Sequence, residues 1–143
     1  MADKILIVDD MEFLLAALEM LLSHEGYHVY TAYSYSDAME KMSGTEFNLV
    51  ITDMGLGDKT GIDVLKEVRK KAPSCPVILH TGAPDVKSET EARRMGAYDY
   101  LSKLVEWETL LRSVRMALSH KTVFDSAGTK ESGCMDKQAV VLS

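Results

Sequence analysis

Two unbroken apolar runs, "ILIV" (5–8) and "LVIT" (49–52), limit what this chain can fold into more than any other feature. A strand with one wet face alternates apolar and polar residues, so a run with no alternation must be covered on both faces, as in a parallel sheet sandwiched between helices. Both runs end in carboxylates, Asp9 and Asp10 after the first and Asp53 after the second. Adjacent like charges repel and stay ionised only beside a cation or hydrogen-bond donors. The Asp9–Asp10 pair therefore calls for a partner.

The segments between these runs read as alternating helices and strands. Phe13, Leu14, Ala17, Leu18, Leu21 and Leu22 recur at helical spacing up to Gly26, and "YHVYTA" (27–32) suits a short strand. Ser34, with Asp37 three residues later, fits a capping box opening a helix through Met42. The third strand, "FNLVITD" (47–53), is followed by the glycine-rich loop "MGLGDKTG" and a helix from Ile62 to Lys71. "CPVILHT" (75–81) is a fourth strand ending at Thr81, and the polar "DVKSETEARRM" is a helix with few apolar anchors, expected to be loosely held. "YDYLSK" (98–103) is a fifth strand, and Trp107, Leu110, Leu111, Val114, Ala117 and Leu118 mark a final amphipathic helix. Five strands alternating with five helices predict a doubly wound α/β domain with a parallel sheet and helices on both faces.

The 143 residues and 46% hydrophobic content suit one domain, placed at 1–120. Residues 121–143 carry three Lys against two Asp and one Glu and read as a linker or disordered tail, so the net charge of −6 belongs to residues 1–120. That charge argues against direct nucleic-acid binding. No apolar stretch approaches the roughly 20 residues of a membrane span, and no signal peptide precedes the first strand, so a soluble, cytoplasmic protein with no membrane association is expected. Cys75 and Cys134 lie far apart and belong to no zinc or redox motif.

Open α/β sheets bind ligands beyond the carboxyl ends of their strands, where strand order reverses. Asp9, Asp10, Asp53, Thr81 and Lys103 all stand at or just beyond such ends. An oxygen-rich acidic site prefers a hard cation, and Mg²⁺ characteristically keeps waters and a substrate phosphate as further ligands. Mg²⁺ is the expected cofactor, and one carboxylate is then placed to act as a nucleophile. Taken singly these residues have plainer readings: a solvated strand end for Asp9 and Asp10, a turn for Asp53, strand propensity for Thr81 and an ordinary surface lysine for Lys103. Only the combination reverses them.

"ILIVDD", "LVITD", "LKEVRKKAPSCPVILHTG" and "GAYDYLSK", in this order, resemble the successive segments of the receiver domain of two-component response regulators, over residues 4–120. The resemblance implies a flavodoxin-like strand order 2-1-3-4-5. It implies that Asp53 accepts a phosphoryl group from a phospho-histidine on a sensor histidine kinase or phosphotransfer protein. Asp10 and Asp53 would ligate Mg²⁺, with Asp9 acting through water and the Gly55 carbonyl as a further ligand. Lys103 would pair with the phosphoryl oxygens and Thr81 would donate its hydroxyl. Tyr100 occupies the aromatic switch position, through which the surface of the fourth helix, fifth strand and fifth helix would change for a downstream effector. A plain core tyrosine is its other reading. The module would be a phosphorylated signalling switch rather than an enzyme, with only slow self-dephosphorylation. Homodimerisation is left open.

The chain departs from the family pattern at Gly57 and Leu104, each standing where proline is common. A cis bond before a non-proline residue costs about 3 kcal/mol, so a trans link with a shifted lysine is expected at Lys103–Leu104. Gly55 and Ala83 flank the site with no side chain able to orient water. His80, by strand alternation, faces away from Thr81 and is expected to have no catalytic role. A pseudo-receiver, binding partners without phosphoryl transfer, is the competing reading. A haloacid-dehalogenase-like hydrolase would need an acid-base Asp two residues after its nucleophile, where this chain has Gly55, and an FMN site would need phosphate-binding donors where it has "DDME".

Overall fold

A computed structural model describes residues 2–127 of the chain, with side chains for 2–119. The elements run β1 (Lys4–Val8), α1 (Glu12–His24), β2 (His28–Ala32), α2 (Tyr35–Gly44), β3 (Leu49–Thr52), β4 (Gly55–Leu56), β5 (Lys59–Thr60), α3 (Gly61–Lys71), β6 (Val77–Thr81), α4 (Val86–Arg94), β7 (Asp99–Ser102) and α5 (Trp107–Ala127). Five of the strands form one parallel sheet in the order β2-β1-β3-β6-β7, which is the expected 2-1-3-4-5 once the small β4–β5 hairpin is set aside.

Side-chain alternation divides the core into two layers. Ile5, Ile7, Leu49, Ile51 and Ile78 pack on one face against Leu15, Leu18 and Leu22 of α1 and Leu110, Leu111, Val114 and Ala117 of α5. Leu6, Val8, Val50, Val77, Leu79 and Tyr100 pack on the other against Ala38 of α2, Val64, Leu65 and Val68 of α3 and Ala92 of α4. Residues 5–8 are all buried, so both parities of the opening run are needed for the core. Each such side chain contributes about 1.5–3 kcal/mol on burial.

Several local details differ from the sequence expectation. The segment read as a glycine-rich loop closes into the antiparallel β4–β5 pair, with Gly57 at φ +85° in the first central position of a two-residue turn, as a type II′ hairpin requires. The helix expected from Ile62 begins at Gly61, capped by a reciprocal box between Thr60 and Asp63. Ser34 caps α2 by accepting from the Asp37 N–H (3.0 Å), but the expected box is only half formed, because the Asp37 carboxylate takes the Tyr33 N–H (3.2 Å) and not that of Ser34. Phe13 fits the helical spacing of α1 but is 88% exposed, because Leu15, Leu18 and Leu22 define the face that meets the sheet. Ala92 is the one buried residue of α4, in line with the few apolar anchors in its sequence. The α5 helix continues past residue 120 to Ala127. The remainder of the expected tail, 128–143 with Cys134, lies outside the described residues. No helix among the described residues is long and apolar enough to cross a membrane.

Candidate functional site

Strand order reverses between β1 and β3, and the parallel chains leave a crevice at their carboxyl ends. β1 delivers Asp9 and Asp10 to one side of it and β3 delivers Asp53 to the other. The strand pairing continues one residue further, the Asp53 N–H donating to the Val8 carbonyl (2.8 Å), so both edges are set by the sheet itself. One carboxylate oxygen from each of Asp9, Asp10 and Asp53 lies within 4.8 Å of the others, with Asp9 and Asp53 buried and Asp10 exposed.

Lys103 reaches the cluster from the end of β7. Its Nζ lies 2.9 Å from Asp9 Oδ2 and 3.1 Å from Asp53 Oδ2, with Met11 Sδ at 3.8 Å. The backbone places it there, the Lys103 N–H donating to the Thr81 carbonyl (2.7 Å). Among the described residues no peptide bond is cis, so the Lys103–Leu104 link is trans as expected, and the lysine still spans both carboxylates. Burial alone would lower the Lys103 ammonium, but its bonds to Asp9 and Asp53 outweigh burial and raise it. Burial raises the Asp53 carboxyl, aided by the charge of Asp9 and opposed by Lys103 and by the Met54 N–H, which donates to Asp53 Oδ1 (2.7 Å). The site thus holds more negative charge than one lysine neutralises.

Polar side chains at three strand ends cap their own turns. Asp9 Oδ1 accepts from the Met11 N–H (2.9 Å), Thr81 Oγ1 from the Ala83 N–H (3.1 Å) and Ser102 Oγ from the Leu104 N–H (3.0 Å). Such local bonds let a strand end abruptly without orphaning backbone donors. The buried Thr81 hydroxyl accepts one bond and keeps its hydrogen available to donate. Thr81 follows the parity of Leu79 and Tyr100, whereas His80 follows Ile78 toward the α1–α5 layer. His80 therefore faces away from Thr81, as expected, but toward the charges of the site. Burial lowers its pKa to about 4, helped by Lys103 and opposed by Asp9.

Tyr100 is buried, its ring in the core beside Leu79. Its hydroxyl accepts from the Asp85 N–H (3.3 Å) and lies 2.5 Å from Ser88 Oγ, which joins it to the first turn of α4. Next to it, Asp99 accepts from Ser113 Oγ of α5 (2.7 Å) and pairs with Arg93 of α4 (3.4 Å). One carboxylate thereby links α4, β7 and α5.

Gly55, two residues beyond Asp53, is exposed at the start of the hairpin, with open space where a Cβ would stand. Gly61 was not apparent as a site residue from the sequence. A Cβ there would lie 2.4 Å from the Asp53 carbonyl oxygen and 2.7 Å from Leu79 Cδ1, so this position supports the backbone that carries Asp53. The only sequence signal is a glycine immediately after a helix-capping threonine.

The family model for the response regulator receiver domain matches residues 5–115. The transcriptional regulatory protein ZraR of Salmonella typhimurium is 35% identical over 116 residues, covering 81% of this chain and 26% of the relative. The response regulator ArlR of Staphylococcus aureus is 33% identical over 115 residues, covering 80% and 52%. The chain thus spans about a quarter to a half of these curated relatives. Among solved structures, the signal receiver domain of an HD domain-containing protein from Pseudomonas fluorescens Pf-5 is similar at a TM-score of 0.82 and 34% identity, covering 86% of this chain and 99% of that one. A response regulator receiver domain from Clostridium thermocellum is similar at 0.81 and 32%, covering 87% and 99%. With the fold, the acidic crevice and the matched segment in agreement, the chain belongs to the response regulator receiver domain family of two-component systems.

Proposed function

We propose that this receiver domain is a phosphorylation switch in which Asp53 is the phosphoacceptor. Receiver domains are signalling switches rather than enzymes that turn over a substrate, and their partners are histidine kinases and effector domains. In the proposed step an Asp53 carboxylate oxygen attacks the phosphorus of a phospho-histidine. The P–N bond breaks, its electron pair returns to the imidazole nitrogen, and an acyl phosphate forms on Asp53.

The observation that carries this reading is the Lys103 ammonium 2.9 Å and 3.1 Å from two buried carboxylates, with the third carboxylate at the mouth. An all-oxygen donor set with excess negative charge fits Mg²⁺. Asp10 and Asp53 would hold the ion, with the Gly55 carbonyl as a further ligand and Asp9 contributing through water. When bound, Mg²⁺ would neutralise the charge that otherwise repels an incoming phosphoryl group. Lys103 would pair with the phosphoryl oxygens and Thr81 would donate its free hydroxyl hydrogen to one of them.

Tyr100 and Asp99 supply the route outward. Movement of Thr81 toward the phosphoryl group changes the packing beside Tyr100 on the same face, and Tyr100 holds the first turn of α4. The α4–β7–α5 surface is then where a downstream effector, or a second copy of the chain, would sense the change. The compartment that fits a kinase partner of this kind is the cytoplasm.

Intact-protein mass after incubation with a small acyl-phosphate donor and Mg²⁺ tests the reading. One added phosphoryl group, abolished by Asp53→Asn and by chelating the metal, is expected. No mass gain on the wild-type chain would instead make it a pseudo-receiver that binds partners without phosphoryl transfer.

A further inference from the structure

Among the described residues Lys103 is the one cation in contact with both buried carboxylates, yet it sits beyond the last sheet residue, in a turn. Lys103 and Leu104 form the turn, and Ser102 holds it at both available acceptors: its Oγ takes the Leu104 N–H (3.0 Å) and its carbonyl takes the Val105 N–H (3.1 Å). Ser102 is also registered opposite Thr81 across the β6–β7 ladder, and the Lys103 N–H on the Thr81 carbonyl is the final rung. The lysine backbone is thus pinned from the sheet on one side and by Ser102 on the other.

The bond to the Ser102 hydroxyl exists because residue 104 is leucine and keeps its N–H, which a proline there would lack. Leu104 itself is 90% exposed, so its side chain has little packing with which to hold the turn. The constraint falls on backbone bonds, and two of them end on Ser102. The Lys103 ammonium stands at the end of a flexible four-carbon stem, so a turn that holds its Cα in one place raises the share of the time the ammonium spends between Asp9 and Asp53.

We propose that Ser102 is a positioning residue for phosphoryl transfer: by bonding the Leu104 N–H it fixes the turn that presents the Lys103 ammonium to Asp9 and Asp53. The inference rests on the proposed role of Asp53 and Lys103. It assigns Ser102 no contact with the phosphoryl group; Ser102 acts through Lys103.

The test uses the full chain, a small acyl-phosphate donor and saturating Mg²⁺, with Asp53 phosphorylation followed by mass. Loss of one net hydrogen bond of about 1 kcal/mol corresponds to roughly fivefold in population. Ser102→Ala is therefore expected to lower the maximal phosphorylation rate about fivefold with little change in donor KM, since Lys103 acts on the developing charge more than on the unbound donor. Ser102→Thr, which keeps the acceptor oxygen, is expected to restore the rate. In a Leu104→Pro background the N–H is gone, and adding Ser102→Ala is expected to change nothing further.

Wild-type phosphorylation with an unchanged maximal rate in Ser102→Ala would overturn the role of Ser102 and leave that of Asp53 standing. An equal loss in Ser102→Ala and Ser102→Thr would also overturn it. Absence of phosphorylation on the wild-type chain would instead count against the phosphoacceptor reading on which it rests.

Discussion

Gly61→Ala is expected to destabilise the domain and disturb its chemistry together, because the missing side chain is what allows Asp53 its position. The new Cβ would stand 2.4 Å from the Asp53 carbonyl oxygen, well inside the 3.0 Å below which such contacts do not occur. The second obstacle, Leu79 Cδ1 at 2.7 Å, is a side-chain end that can rotate, but the carbonyl belongs to backbone tied to β1 through the Asp53 N–H and the Val8 carbonyl. Overpacking of this kind costs about 1–3 kcal/mol, and an immovable backbone atom puts the cost at the top of that range. Alanine's better helix propensity returns at most about 1 kcal/mol, leaving a net loss of about 2 kcal/mol. For a domain of this size that is a Tm lower by roughly 8 °C. Gly55→Ala is the control, since its Cβ meets open space and its stability is expected within about 0.5 kcal/mol of wild type. Thermal and urea unfolding of the two variants measure the contrast, and phosphorylation of Gly61→Ala at a temperature where it is folded is expected to be slower. If Gly61→Ala melts at or above wild type, the claim that Asp53 depends on this close approach is wrong.

Three further outcomes follow from the same geometry. Removing the charge with Lys103→Met leaves two buried carboxylates without their shared cation; a loss of about 3 kcal/mol in metal-free buffer is expected, and added Mg²⁺ is expected to raise its Tm more than it raises wild type. His80, lowered to about 4 by burial, is neutral in the fold and titrates near 6.5 in the unfolded chain. Its contribution is therefore complete above pH 6.5 and lost as pH falls toward 4, by about 3 kcal/mol at the limit; urea unfolding against pH should show a shallower acid limb for His80→Leu, and an unchanged limb would remove His80 from the account. Tyr100→Phe deletes the hydroxyl that joins β7 to the first turn of α4, so about 1 kcal/mol of stability and hydrogen-exchange protection around Ser88 should be lost while Asp53 phosphorylation persists.

The strand runs were legible because a two-sided core is built mainly of apolar residues: "ILIV" and "LVI" have no polar alternation, and the sheet buries both their faces. Strand ends carrying charge then pointed to one rim, and Asp9, Asp10, Asp53 and Lys103 do converge there. Phe13 and the "MGLGDKTG" segment were less readable. Helical spacing does not say which of two adjacent apolar stripes meets the sheet, and although Gly57–Asp58 suits a hairpin turn, the flanking strands of two residues each are too short to show alternation.

Composition and periodicity by themselves determined the parallel α/β architecture and the rim on which the acidic residues stand, since hydrophobic burial is a property of each segment read alone. Only the tertiary structure decided that one ammonium spans Asp9 and Asp53, that Gly61 leaves room for the backbone of Asp53, and that Ser102 holds the turn beneath Lys103. The lysine contacts join residues far apart in the chain at separations of 2.9 and 3.1 Å, and even the local bond from the Leu104 N–H to Ser102 matters only because the β6–β7 register sets that turn beside the carboxylates; no local pattern encodes a distance that arises only when separate strands are brought together.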